Sequence, residues 1–262
     1  MRESVRVWGL DLAPLTRAEA VDSLMGLVRA GRPSYFVTAG TQYAMLSAHD
    51  GRLREVNHRA AFLLADGAPL VLASRLAGTP LPARVAGSDL IFDLCERAAA
   101  EGFRVFLLGA PPGVAEQAAA RLVERYPGLL IAGTECPPFR ELSAGEHAAL
   151  LDRIRAARPD ILFVAFGQPK GELWLLENFE ALGVPLGVQI GASIDFAAGR
   201  FRRAPVWVQK MGMEWAYRTL QEPRRLLPRY ARNAAFIGGQ VAREFARGLP
   251  GLRGGGARVQ GR

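Results

Sequence analysis

The feature that most constrains this chain is an alternation of short apolar runs with longer stretches whose apolar residues recur at helical spacing. A strand covered by helices on both faces reads as a continuous apolar run, and strand-helix repetition builds a mostly parallel sheet. The runs place strands at 5–10, 35–38, 62–65, 105–109, 129–133, 161–166 and 186–190. Two of the helices between them open on capping boxes, Thr16 with Glu19 and Ser143 with Glu146, in which each side chain satisfies a free backbone N–H at the helix start. Ser88 is expected to cap a further helix over 89–100. The fold class is therefore α/β.

Half of the 262 residues are apolar, which is enough for a large core. The charge is unevenly spread. Residues 1–199 carry a net charge of −3, whereas residues 200–262 carry +11. Such asymmetry marks a contact with an anionic partner: phospholipid headgroups, a diphosphate or nucleic acid. The division follows the composition. Residues 1–199 form an α/β core, and residues 200–247 form a basic helical appendage in which Trp207, Met211, Trp215 and Leu220 recur among arginines. Residues 248–262, rich in Gly and Arg, are expected to be disordered.

The start of the chain lacks the apolar h-region of a signal peptide, and no stretch approaches the ~20 apolar residues of a membrane span. The expected location is cytoplasmic, peripheral on the inner face of the cell membrane. Cys95 and Cys136 fit neither a disulfide framework nor a zinc motif.

In open parallel sheets ligands bind beyond the carboxyl ends of the strands. Four such ends stand out: Thr38-Ala39-Gly40, Ala65-Asp66-Gly67, Gly109-Ala110-Pro111-Pro112-Gly113 and Phe166-Gly167-Gln168-Pro169-Lys170. Gly109 to Gly113 reads either as a plain turn or as a strand-turn-helix loop whose N–H groups approach a phosphate. It is neither a dinucleotide fingerprint nor a nucleotide-hydrolase loop. Asp66 follows an apolar run, so it is either a general base or a cap on the next helix or turn.

No Asp-x-Asp occurs in the chain, and His49, His58 and His147 have no metal-ligand spacing, so no metal or other cofactor is expected. Serine hydrolase chemistry lacks its elbow motif. The basic C-terminal quarter carries no nucleic-acid-binding signature, so no nucleic-acid partner is expected.

Six segments in order, FVTAGTQYAM, LLADGAPLV, RVAGSDL, the run from VFLLGAPPG to LLIAG, PDILFVAFGQPKGELW, and the run from GVQIGASIDF to RRLLPRY, resemble the WecG/TagA/CpsF family of bacterial glycosyltransferases. The resemblance covers about 34–230. It implies a Rossmann-like core with a C-terminal appendage that reaches the membrane and helps complete the active site. It also implies inverting, metal-independent transfer from a UDP-sugar to an undecaprenyl-diphosphate-linked sugar. The donor would be N-acetylmannosamine, its uronic acid, or glucose.

On this resemblance Asp66 matches the family's proposed general base, and Thr38 the Thr of its T-x-N motif. Arg84, Gly87, Ser88 and Asp89 match R-x-x-G-x-D. Arg203, Glu214, Trp215, Arg218, Arg225 and Arg229 fall on the C-terminal patterns. The substrate-binding set is then Arg84, Gly109, Gly113, Gln168, Lys170, Arg203, Arg218, Arg225 and Arg229. Three positions depart from the family: Gly40 stands for Asn, Gly171 for Gln, and Pro228 for a basic residue. Pro228 is expected to kink or end a helix. The competing reading is a non-catalytic binding protein for a nucleotide sugar or a lipid diphosphate with the same fold.

Overall fold

A computed structural model of the chain describes residues 3–201, 205, 208, 214–221 and 223–246. Arg203 and the tail 248–262 lie outside the described residues, as do Trp207, Met211 and the side chains of Trp215, Arg218 and Arg225.

The first apolar run folds as a hairpin and not as one strand: β1 (Val5–Val7) pairs antiparallel with β2 (Leu10–Leu12). Trp8 and Gly9, both at positive φ, form the turn between them. The alternation of the hairpin puts Val7, Leu10 and Leu12 into the core and leaves Arg6 and Asp11 paired across its outer face.

The other runs become one six-stranded sheet: β3 (Tyr35–Ala39), β4 (Phe62–Ala65), β5 (Arg104–Gly109), β6 (Leu130–Glu135), β7 (Ile161–Ala165) and β8 (Leu186–Gln189). The strand order is β4-β3-β8-β7-β5-β6, and every neighbouring pair is parallel. Residues of β3, β5, β7 and β8 are almost wholly buried, as a sheet covered on both faces requires.

One face packs against α1 (Arg17–Ala30), α5 (Gly87–Glu101), α6 (Val114–Arg125) and α9 (Ser193–Ala197). The other carries the hairpin, α2 (Thr41–His49), α3 (Gly51–Arg59), α4 (Ala68–Leu76), α7 (Ala144–Ala157) and α8 (Lys170–Leu182). Both expected capping boxes form, at Thr16 and Ser143. The cap at Ser88 does not: α5 starts two residues earlier than expected, its N-cap is Ala86, and that side chain cannot accept a hydrogen bond. The N–H group at its start is satisfied by a residue remote in sequence, which no local pattern reveals.

The C-terminal helices are α10 (Glu214–Gln221) and α11 (Pro223–Ala246), with α11 against α2 and Phe236 edge-on to Trp8 of the hairpin turn. Pro228 lies inside α11 and does not end it. Its missing N–H removes one bond, to the carbonyl four residues back, and the helix continues beyond it for eighteen residues.

Candidate active site

Asp66 follows β4, and its backbone N–H donates to the carbonyl of Ala39 at the end of β3, so the two strand ends are tied together at 2.8 Å. The loop after α4 then returns over the end of β4, where the Val85 N–H donates to the Ala65 carbonyl at 2.8 Å. That return delivers Gly87, the first residue of α5, to Asp66: its N–H donates to Asp66 Oδ2 at 3.1 Å. The carboxylate therefore sits at a helix N-terminus, where free N–H groups and the macrodipole favour negative charge. A cap on the next helix does not form, since the N-cap of α4 is Gly67 with no side-chain bond; Asp66 accepts instead from the start of α5, a helix further on. Asp66 is half-exposed, so its other oxygen can be reached from the cleft.

Thr38, 7% exposed near the end of β3, closes on the same point. A Cβ at Gly87 would lie 3.2 Å from Thr38 Oγ1, so position 87 must be small for hydroxyl, helix start and carboxylate to converge. Gly40 has a similar reason: a Cβ there would lie 2.8 Å from the Asp66 carbonyl oxygen. The Asn of the family pattern therefore does not fit this backbone without movement of the Asp66 loop. Arg84, half-buried on the returning loop, pairs at 3.8 Å with Asp89, which also meets Arg17 at 3.5 Å.

Gly109, Gly113, Gln168 and Lys170 gather at the ends of β5 and β7. From these adjacent strands the chain departs in opposite directions, through α6 on one face to β6 and through α8 on the other to β8. Such a divergence opens a crevice at the carboxyl ends. Gly109 (φ 94) turns the chain there, and a Cβ on it would meet the Ala165 carbonyl oxygen at 3.0 Å. Gly113 is the N-cap of α6 and has open space around it, although Glu116 in the first turn takes up part of the positive helix end. Lys170 is exposed at the first position of α8, where the macrodipole disfavours a cation unless an anion joins it.

The site expectations omitted Glu172, which is buried in the first turn of α8 with its Oε2 making no hydrogen bond among the described residues. Glu172 is 2% exposed, and burial pushes its carboxyl up to about 7, against the opposing effects of its own backbone N–H, Gln168 and the charge of Arg229 on α11. The sequence signal for it was a lone acid among Leu173, Leu175 and Leu176. Gln189, a polar residue in the apolar β8 run, was missed for the same reason. It is 4% exposed, and its Oε1 accepts from the Phe166 N–H at 3.3 Å. A Cβ at Gly171 would lie 2.2 Å from that same Oε1. The space a side chain at 171 would fill is thus taken by an amide from β8.

The structure brings together Asp66, Thr38 and the start of α5 at β3 and β4, and Gly109, Gln168 and Lys170 at β5 and β7, with Gln189 between the two groups on β8. From β4 to β7 is three strand spacings, about 14 Å. Arg229 lies half-buried on α11. Among the described residues, no group of His, Cys, Asp and Glu could hold a metal ion, and no helix is long and apolar enough to cross a membrane. Both cysteines are free thiols, and burial pushes Cys95 up to about 12.

Comparison with known proteins adds a family to this geometry. The profile of the Glycosyl transferase WecG/TagA/CpsF family matches residues 5–249. A Bacillus spizizenii N-acetylglucosaminyldiphosphoundecaprenol N-acetyl-beta-D-mannosaminyltransferase is 32% identical over 192 residues, 73% of each chain. Proteins of the same description are 28% identical in Staphylococcus aureus, over 85% of this chain and 86% of the relative. In Bacillus subtilis the identity is 29%, over 74% of this chain and 76% of the relative.

Proposed function

The chain belongs to the WecG/TagA/CpsF family of glycosyltransferases, and we propose that it moves a sugar from a UDP-sugar onto a polyprenyl-diphosphate-linked acceptor by a single inverting displacement. The observation that carries this reading is the placement of Asp66, which accepts from the Gly87 N–H at the start of α5 beside the buried Thr38. In the proposed step an acceptor hydroxyl attacks the anomeric carbon as Asp66 takes its proton. The new glycosidic C–O bond forms while the bond to the diphosphate breaks, and UDP leaves with the electron pair. Thr38 orients the reacting hydroxyl.

N-acetylmannosamine is the favoured donor sugar because the relatives are named for it. Its uronic acid and glucose are the alternatives. The diphosphate is assigned to the β5 and β7 ends, with the Gly109 and Gly113 backbone, Gln168 and Lys170. Arg84, Arg203, Arg218, Arg225 and Arg229 supply positive charge in place of a divalent cation. The absence of Asp-x-Asp from the sequence supports this metal-free account. Residues 200–247 are assigned to an anionic membrane surface, which suits an acceptor with a lipid tail.

The test is UDP release and product formation by the purified protein over a panel of UDP-sugars, with a short-chain polyprenyl-diphosphate-sugar acceptor, with and without EDTA. Transfer from UDP-N-acetylmannosamine that survives EDTA is expected. UDP release dependent on added Mg²⁺ would overturn the metal-free mechanism. Binding of the nucleotide sugar without turnover on any acceptor would make the chain a binding protein.

A further inference from the structure

Gln189 closes the apolar strand β8, and its side chain leaves the sheet on the face covered by α8. There it takes the space beside Gly171: a Cβ at 171 would lie 2.2 Å from its Oε1, 2.4 Å from its Cδ and 2.9 Å from its Cγ. Glycine at 171 is therefore what admits the amide. The family pattern has a Gln at 171, so in this chain an amide reaches the space beside α8 from the strand beneath it instead of from the helix.

The two ends of that amide differ. Oε1 accepts from the Phe166 N–H at 3.3 Å, beyond the rung in which the Ile190 N–H donates to the Val164 carbonyl at 2.9 Å. Nε2 is buried and makes no hydrogen bond among the described residues. A buried donor left unpaired is costly, and an apolar side chain of similar size would fill the space without that cost. What the amide supplies, and an apolar side chain could not, is an acceptor for Phe166.

Phe166 is where the chain leaves β7 for the loop of Gln168 and Lys170. Its ring stands edge-on to Trp174 of α8, with centroids 5.5 Å apart, and a Cβ on Gly109 would meet the same ring at 3.0 Å. One residue thus touches the turn after β5, the helix α8 and the Gln189 amide. We propose that Gln189 is a positioning residue for the donor diphosphate. By holding the Phe166 N–H it sets the direction in which residues 166–170 carry Gln168 and Lys170 into the crevice, and it supplies from β8 the amide that α8 lacks at Gly171. The diphosphate assignment rests on the transferase reading above, whereas the hold on the loop does not.

The experiment uses the full chain and follows amide hydrogen exchange over residues 163–170, calorimetric titration with UDP, thermal melting, and kcat and KM of sugar transfer. Gln189→Met keeps the length of the side chain and removes both the acceptor and the unpaired donor, so it should melt close to wild type. Exchange over the loop should nevertheless rise, and Kd for UDP and KM for the UDP-sugar should rise about tenfold while kcat changes less than about threefold. A merely structural role would move the melting temperature and leave that split absent. Wild-type loop exchange and UDP affinity in Gln189→Met would overturn the proposal. Should this variant fail to fold, Gln189→Ala is compared with Gln189→Ala plus Gly171→Gln, which returns an amide from α8. The double variant should regain loop protection and UDP affinity, and equal values in the two would overturn the proposal. A wild-type chain that neither binds UDP nor transfers sugar would sink the functional reading, leaving loop exchange to judge the hold on Phe166.

Discussion

Asp66 and Glu172 are both carboxylates at the start of helices on the same sheet edge, and the fold uses them in opposite ways. Asp66 lies outside the helix it serves: it reaches α5 from the end of β4, stays half-exposed and accepts from the first N–H. Glu172 lies within the first turn of α8 and turns inward, and burial drives its carboxyl from the usual range to about 7. A helix N-terminus is worth about 0.3–1 kcal/mol to a carboxylate, and full burial outweighs that several-fold. The same local chemistry thus leaves a half-exposed acceptor at one place and a proton-sensitive buried acid at another. Exposure decides which.

The largest expected effect separates the two by activity. Asp66→Asn should lower turnover about 10²- to 10⁴-fold with little change in thermal stability, because the amide can still accept from Gly87 but cannot take a proton. Near wild-type kcat in the folded variant would remove Asp66 from the mechanism and end the contrast.

The next effect concerns stability against pH. The carboxyl of Glu172 is raised in the folded state from its ordinary 4.5 to about 7, so the folded protein binds the extra proton. The stability it contributes is full below about 4.5 and is lost as pH rises through about 7, by about 3 kcal/mol. Glu172→Gln should flatten that slope in urea titrations between these pH values, while Asp66→Asn should leave it. An unchanged slope in Glu172→Gln would show that burial does not control this group.

The smallest effect probes the packing behind Glu172. Gly171→Gln restores the side chain of the family pattern but drives a Cβ into the Gln189 amide. It should cost about 1–3 kcal/mol, the usual penalty of overpacking. Gln189→Ala on the same background should recover part of it. Additive losses by thermal melting would mean that the two positions do not compete for one space.

Much of the frame was legible in the residues. The runs of β3, β5, β7 and β8 were readable because a strand buried on both faces must be apolar throughout, and the boxes at Thr16 and Ser143 because their partners lie three residues apart. The hairpin at Trp8 was not, since one short apolar run does not show a turn inside it. Ser88 misled for a related reason. It is the kind of residue that caps helices, but Asp66 supplies the acceptor from twenty-one residues away.

By itself, then, the sequence determined the α/β class, the strand ends that carry Thr38, Asp66 and Gln168, and the uneven charge, because these depend on periodicity and composition over short windows. Only the tertiary structure decided that Asp66 accepts from the start of α5 and that Gln189 fills the space left by Gly171. Each of these pairs residues from different strands and helices. Their energies arise from burial and close approach, which do not exist until the sheet and its helices have come together.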